Sequence, residues 1–262
     1  MFNENIMARV TEHAKVVRDK IPELAGSLMV VAANGSVNYG LETENSDVDT
    51  KAIYIPSVTD IVHQKCLSKT YSFTDAPNGE EHCDVKDIRM FVRMLEKSNI
   101  NFIETLFSDY VWVNPKYGEE WAKLIDMREH IAYAHPVAAF DCMMGMATRY
   151  LAMIEDGRPN RNKAFYHVCR MKYAMQKFCE KAPYIEVIRP DKETADMLKA
   201  IKSEEGAKEL GPTFYDEILP AVREGLGNFY VQRYKLQVHF PTSFDFSSVY
   251  DIAEDCIRKE LS

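Results

Sequence analysis

VVAANGSVNYGLETENSDVDTKAIYIP, residues Val30 to Pro56, decides the fold. Its first residues belong to an unbroken apolar run, Leu28 to Ala33, bounded by Gly26-Ser27 and Asn34-Gly35-Ser36, which predicts a strand buried on both faces. At Gly35-Ser36 a glycine lets the backbone turn tightly, and successive amide hydrogens in such a turn can cradle a phosphate. Asp47 to Ile55 then alternates polar and apolar residues and stops at Pro56, which predicts a second strand. Asp47 and Asp49 lie two apart and share a face, with Cβ atoms roughly 6 to 7 Å apart. Two such carboxylates repel each other. Hard divalent cations take carboxylate oxygens together with substrate phosphates, so a metal site resolves the repulsion. Lys51 is on the same face and either neutralises a phosphate or pairs with the two acids.

A third carboxylate would complete a cage for two ions that clamp the attacking and leaving oxygens of a phosphoryl displacement. Asp84, in the strand-like HCDVK before a helix, is the candidate, against the alternative of a surface strand residue. Asp87 is better used as the cap of the following helix, and Glu81 is expected in a polar loop. His82 and Cys83 beside Asp84 are expected to be incidental, and with no H-E-x-x-H spacing no zinc site is expected.

Around this segment the pattern is mixed. Ile6, Val10, Ala14 and Val17 predict an amphipathic helix over residues 5 to 20. Short strands are expected at Ser68 to Phe73 and His82 to Lys86, followed by a helix with the stripe Ile88, Phe91, Val92 and Leu95. From about Ala132 onward strand signals fade. Pro136 to Asp156 and Asn162 to Lys181 read as helices joined by the turn Asp156 to Asn160, and Lys181 to Pro190 reads as an irregular connector. The Met-rich MMGMATRYLAM is helical core. The expected class is α+β, with a small mixed β-sheet domain flanked by helices over residues 1–130 and a mainly helical domain over 131–262.

The longest apolar stretches fall far short of the roughly 20 residues that cross a bilayer, so no transmembrane segment is expected. The first residues, MFNENIMARVTEHAKVVRDK, lack the apolar core of a secretory signal, which points to the cytoplasm and to reduced thiols for the six cysteines. Forty acidic residues against 32 basic give a net charge of −8, which argues against a protein that coats long stretches of nucleic acid.

Gly35-Ser36, the Asp47-Val48-Asp49 triplet and the distant Asp84 together resemble the nucleotidyltransferase signature of the DNA polymerase β superfamily. GSVNYGL, SDVDTKAIYIP, DVKDIRMFVRMLEKSNINFIETLF and, more weakly, KAFYHVCR at Lys163 to Arg170 are similar to the polymerase-β-like nucleotidyltransferases of an RNA repair pathway. The resemblance implies transfer of an NMP from an NTP to an acceptor hydroxyl, with pyrophosphate released, in an enzyme of the 2.7.7 type. It implies that Gly35 and Ser36 hold the triphosphate and that Asp47, Asp49 and Asp84 bind Mg²⁺ or Mn²⁺, with Asp84 also activating the acceptor. RNA or tRNA is the acceptor it suggests. The acidic balance points instead to a small molecule or a protein hydroxyl, and a non-catalytic, antitoxin-like nucleotide-binding module is the reading outside enzymes.

In the second half, Lys163, His167 and Arg170 fall at i, i+4 and i+7 on one helical face, opposite Phe165, Val168, Met175 and Phe178. Either the row grips a triphosphate, with the arginine making forked contacts, or it is a solvated face. Tyr39 is expected in the core, and Asn101 and Glu104 are expected to serve structural hydrogen bonds.

Overall fold

The computed structural model describes residues 3–260 except 22–23, 25–26, 44–45, 77–78, 159, 204, 207, 209–213 and 240–243. The chain forms two compact units. The first comprises Met1–Asn38, Glu44–Ala134 and Phe244–Ser262, and the second comprises Tyr39–Thr43 and His135–Ser243.

The first unit is built on a five-stranded sheet. Its strands are β1 (Leu28–Ala33), β2 (Thr50–Tyr54), β3 (Ser68–Ala76), β4 (Gly79–Asp87) and β5 (Val111–Val113), in the spatial order β3-β4-β2-β1-β5. β2 runs parallel to β4 and antiparallel to β1, so the sheet is mixed as expected. All six residues of β1 are buried, which is why its sequence is apolar without alternation. β2 begins at Thr50 rather than at Asp47. The preceding residues bond outside the ladder: Asp49 O accepts from Asn34 N at 2.8 Å, and Val48 N donates to the Glu81 carboxylate. β5 is only three residues long and carried too few alternations to be read from the sequence.

Helix α1 (Glu4–Lys20) starts where the Asn3 side chain accepts from Asn5 N, and it ends with Arg18 and Lys20, which suit the negative end of its dipole. Its face of Ile6, Val10, Ala14 and Val17 shares a core with Val31, Ala33, Ala52, Tyr54, Cys83 and Val85. After the short α2 (Val58–Val62), α3 (Ile88–Glu96) is capped by Asp87, whose Oδ1 accepts from Arg89 N at 2.8 Å, and it buries the expected stripe Ile88, Phe91, Val92 and Leu95. α4 (Ile100–Ile103), α5 (Gly118–Asp126) and α6 (Arg128–Ala132) follow.

In the second unit α7 (Pro136–Glu155) and α8 (Arg161–Cys179) pack along each other, joined by a turn in which Gly157 has φ +67°. α9 (Tyr184–Ile188) lies in the stretch read as irregular; Tyr184, Val187 and Ile188 are buried, so packing fixes a turn too short for periodicity to reveal. α10 (Lys192–Lys202) and α11 (Phe214–His239) complete the unit. α7 is long and apolar enough to cross a membrane by length and composition, with a mean hydropathy of 1.2. It also buries Phe140, Met143, Ala147, Leu151 and Ile154, and its Asp141 carries a forked pair from Arg233 at 2.6 and 2.7 Å.

The final helix α12 (Ser247–Lys259) belongs to the sheet unit, although the sequence placed it with the helical half. Lys259 Nζ reaches Glu120 at 2.8 Å, and both Lys116 and Tyr117 bond Glu260. The six cysteines are free thiols.

Candidate active site

The strand ends bring the two halves of the signature together. Ala33 pairs with Thr50 in the ladder, and the Asn34 to Asp49 backbone bond carries the contact one residue further, so the Gly35-Ser36 turn starts beside Asp49. The turn is a 3-10 helix, Gly35–Val37, closed by Asn38 N on Gly35 O at 3.0 Å. Gly35 has φ +70°, a conformation that resists a side chain, and a Cβ there would meet nothing within 4 Å. Conformation, not crowding, selects the glycine, and the approach to the turn stays open. Asn34 Oδ1 is buried there with no hydrogen-bond partner among the described residues.

Residues 46 to 50 alternate in burial. Ser46, Val48 and Thr50 are buried, whereas Asp47 and Asp49 are half-buried. Asp49 Oδ1 accepts from His82 N at 2.9 Å and lies 3.3 Å from His82 Nδ1. Partial burial raises the Asp49 pKa, and the Asp47 charge raises it further, against the His82 hydrogen bonds. His82, set aside in the sequence, therefore bonds the Asp49 carboxylate.

Register places Asp84 opposite Lys51, on the same side of the sheet. Asp84 Oδ1 forms an ion pair with Lys86 Nζ at 2.7 Å and accepts from Thr70 Oγ1 at 3.0 Å. Both bonds use one oxygen, and Oδ2 has no partner among the described residues. Lys51 is only 3% exposed. Its ammonium donates to Asn101 O and sits 4.4 Å from the centre of the Phe102 ring. Burial lowers its pKa to about 8, partly offset by the charges of Glu104 and Asp84. The Lys51 ammonium thus points into protein, and the main-chain carbonyl of Glu104 accepts from Asn38 Nδ2 at 2.9 Å.

Glu81 corrects the sequence reading most sharply. It lies in β4, 2% exposed, where a polar loop was expected. Its Oε2 accepts from Arg9 Nε and Nη2 at 3.0 and 2.5 Å and from His13 Nε2 at 2.9 Å. Its Oε1 accepts from Val48 N at 3.3 Å. Burial pushes the Glu81 pKa up, but the bonds from Arg9 and His13 outweigh it and the net shift is downward, so the carboxylate stays ionised. Burial lowers the His13 pKa, and the neutral ring donates from Nε2 to Glu81 while Nδ1, 2.8 Å away, accepts from Thr50 Oγ1. No sequence pattern marks this network, because its members are 68 and 72 residues apart.

Does this set suit a divalent cation? Asp47 and Asp49 offer hard carboxylate oxygens two residues apart. Among the described residues no three His, Cys, Asp or Glu side chains converge on one point. The chemistry of these two carboxylates fits a hard divalent cation.

The basic row of α8 lies in the helical unit and is not uniform. Lys163 is exposed. The His167 ring stacks on Tyr150 with centroids 4.3 Å apart, and its buried Nδ1 has no hydrogen-bond partner among the described residues. Burial first, then Arg170 and Lys163, lower its pKa to about 3. Arg170 is 3% exposed, with its guanidinium 3.8 Å from the centre of the Tyr39 ring. Tyr39 is in the core, as expected.

Over residues 5–203 the chain matches the RNA repair pathway DNA polymerase beta family. It belongs to that family. The match spans the turn, all three aspartates and the α8 row, and stops before α11 and α12. The RNA repair pathway DNA polymerase beta family carries nucleotidyl transfer as its general activity and generally works with a divalent metal and an NTP. No curated protein matches the chain. A nucleotidyltransferase-like protein from Exiguobacterium sibiricum is similar to it at 10% identity with a TM-score of 0.34, over 94% of this chain and 89% of that one.

Proposed function

We propose that the protein is a metal-dependent nucleotidyltransferase that moves a nucleoside monophosphate from an NTP onto an acceptor hydroxyl. The observation that supports it best is the adjacency of the open Gly35-Ser36 turn and the half-buried Asp47/Asp49 pair, joined through the Asn34 to Asp49 backbone bond. The acceptor oxygen forms a bond to the α-phosphorus while the bond from that phosphorus to the bridging oxygen breaks, and the electron pair leaves with pyrophosphate. Mg²⁺ or Mn²⁺, when bound, neutralises the charge that develops on the phosphate oxygens. Asp47 and Asp49 hold the cation, and the backbone of Gly35 and Ser36 receives the outer phosphates. Asp84 takes the acceptor's proton on Oδ2, the oxygen outside its bonds to Lys86 and Thr70. His82 keeps Asp49 aimed by its main-chain bond.

The family's description, which names an RNA repair pathway, supports RNA as the acceptor. The net charge of −8 favours the second reading, a small-molecule or protein hydroxyl. Incubation with each α-³²P-labelled NTP and Mg²⁺ or Mn²⁺, with and without bulk RNA, tests both. Label on RNA that is lost in an Asp47→Asn/Asp49→Asn variant supports the first. Label on protein or on a small molecule supports the second, and nucleotide binding without transfer to any acceptor supports a binding module instead.

A further inference from the structure

The two aspartates owe their positions to what lies between and behind them. Ser46, Val48 and Thr50 turn inward and alternate with the acids, and two of the three are pinned by one buried network. Glu81 Oε1 takes the Val48 N–H, and Glu81 Oε2 takes His13, whose other nitrogen takes the Thr50 hydroxyl. Arg9 closes the network from α1, and Phe73 stacks on the His13 ring with centroids 4.3 Å apart.

A buried ionised pair contributes little net stability compared with apolar packing, so stability alone is a weak reason for a charge at this place. Geometry supplies a better one. Asp49 is flanked on both sides by residues whose backbone or side chain is bonded to Glu81 or His13, so that network holds the stretch of chain that carries it. A metal holds its ligands to a tolerance of a few tenths of an ångström, and groups that orient ligands matter accordingly.

We propose that Glu81 is a positioning residue for the metal-binding acids, acting through Val48 directly and through His13 on Thr50. The proposal rests on Asp47 and Asp49 binding the cation. It predicts that Glu81 sets the affinity of the site for metal and the rate of the chemical step, more than the binding of the nucleotide.

The test is Mn²⁺ binding to the full chain, followed by electron paramagnetic resonance, with kcat, KM for NTP and thermal midpoint measured alongside. Glu81→Met removes the acceptor and keeps the volume. It is expected to weaken Mn²⁺ binding roughly tenfold or more and to lower kcat with KM for NTP little changed. Glu81→Gln, which retains an acceptor for Val48 N–H, is expected to recover most of the loss. Should Glu81→Met fail to fold, Thr50→Val removes the hydroxyl that His13 accepts from and should move Mn²⁺ affinity the same way by a smaller factor. Mn²⁺ affinity and kcat within twofold of wild type in the folded variant, with only the thermal midpoint lowered, would overturn the proposal and leave Glu81 a purely structural group. Asp49→Asn is the control: unchanged Mn²⁺ binding there would instead remove the metal reading of the site on which the proposal stands.

Discussion

The acids of the sheet unit and the basic row of α8 are two regions that look alike in sequence, each a set of charged residues at the spacing of one face. They differ in how that face is used. Asp47, Asp49 and Asp84 are part-exposed, with carboxylate oxygens at the surface of the sheet. Of the three residues in the α8 row only Lys163 is exposed; His167 is stacked on Tyr150 and Arg170 is buried over Tyr39. Periodicity tells which side chains share a face, and it says nothing about whether that face meets water. The reason is physical: an arginine or histidine with an aromatic partner can be buried at modest cost, because the flat ring or guanidinium stacks and a histidine can shed its proton.

That contrast can be broken or sharpened by substitution, and the acids should give the largest effect. Asp47→Asn and Asp49→Asn should each lower turnover by about a hundredfold or more in a labelled-NTP assay while the thermal midpoint is kept or raised, since a repulsion is removed. Arg170→Ala should act on stability, lowering it by about 2 kcal/mol through loss of the desolvated contact with Tyr39, read by urea unfolding. An Arg170→Ala protein of unchanged stability but raised KM for NTP would erase the distinction between the two regions.

His167 supplies a pH signature. Its folded pKa is about 3 against 6.5 for the free side chain, so between these values the unfolded chain binds the extra proton and stability falls as pH falls. His167→Phe keeps a ring for Tyr150 and should lose part of that acid sensitivity, seen by comparing unfolding midpoints at pH 7, 5 and 4. Lys163→Ala should be mildest, with no stability change and a KM for NTP raised by at most about fivefold, the scale of one exposed charge. No change at all would return Lys163 to solvent.

What was legible followed from where the physics is local. Leu28–Ala33 matched its strand residue for residue, because burial on both faces leaves an uninterrupted apolar run. Asp87 announced α3 as a cap followed by its stripe, and the mixed sheet followed from the strands around the acids. The adjacency of the Gly35-Ser36 turn and the aspartates was implied by the signature and is carried in the structure by one backbone bond. Glu81 was misread because a buried glutamate and a loop glutamate look the same until Arg9 and His13 are found beside it. The attachment of α12 to the sheet unit was illegible for the same reason, since its ties to Glu120, Lys116 and Tyr117 span most of the chain.

The membership of α12 in the sheet unit also orders events during synthesis. The helical unit, apart from Tyr39–Thr43, is a single stretch ending at Ser243, whereas the sheet unit waits for residues beyond Phe244. A chain emerging from the ribosome therefore completes the long stretch of the helical unit before it makes α12, the last element of the sheet unit. Until the last turn of α12 is made, Glu120 has no Lys259 to pair with. The sheet unit thus lacks its last helix for as long as the ribosome takes to pass through the insert.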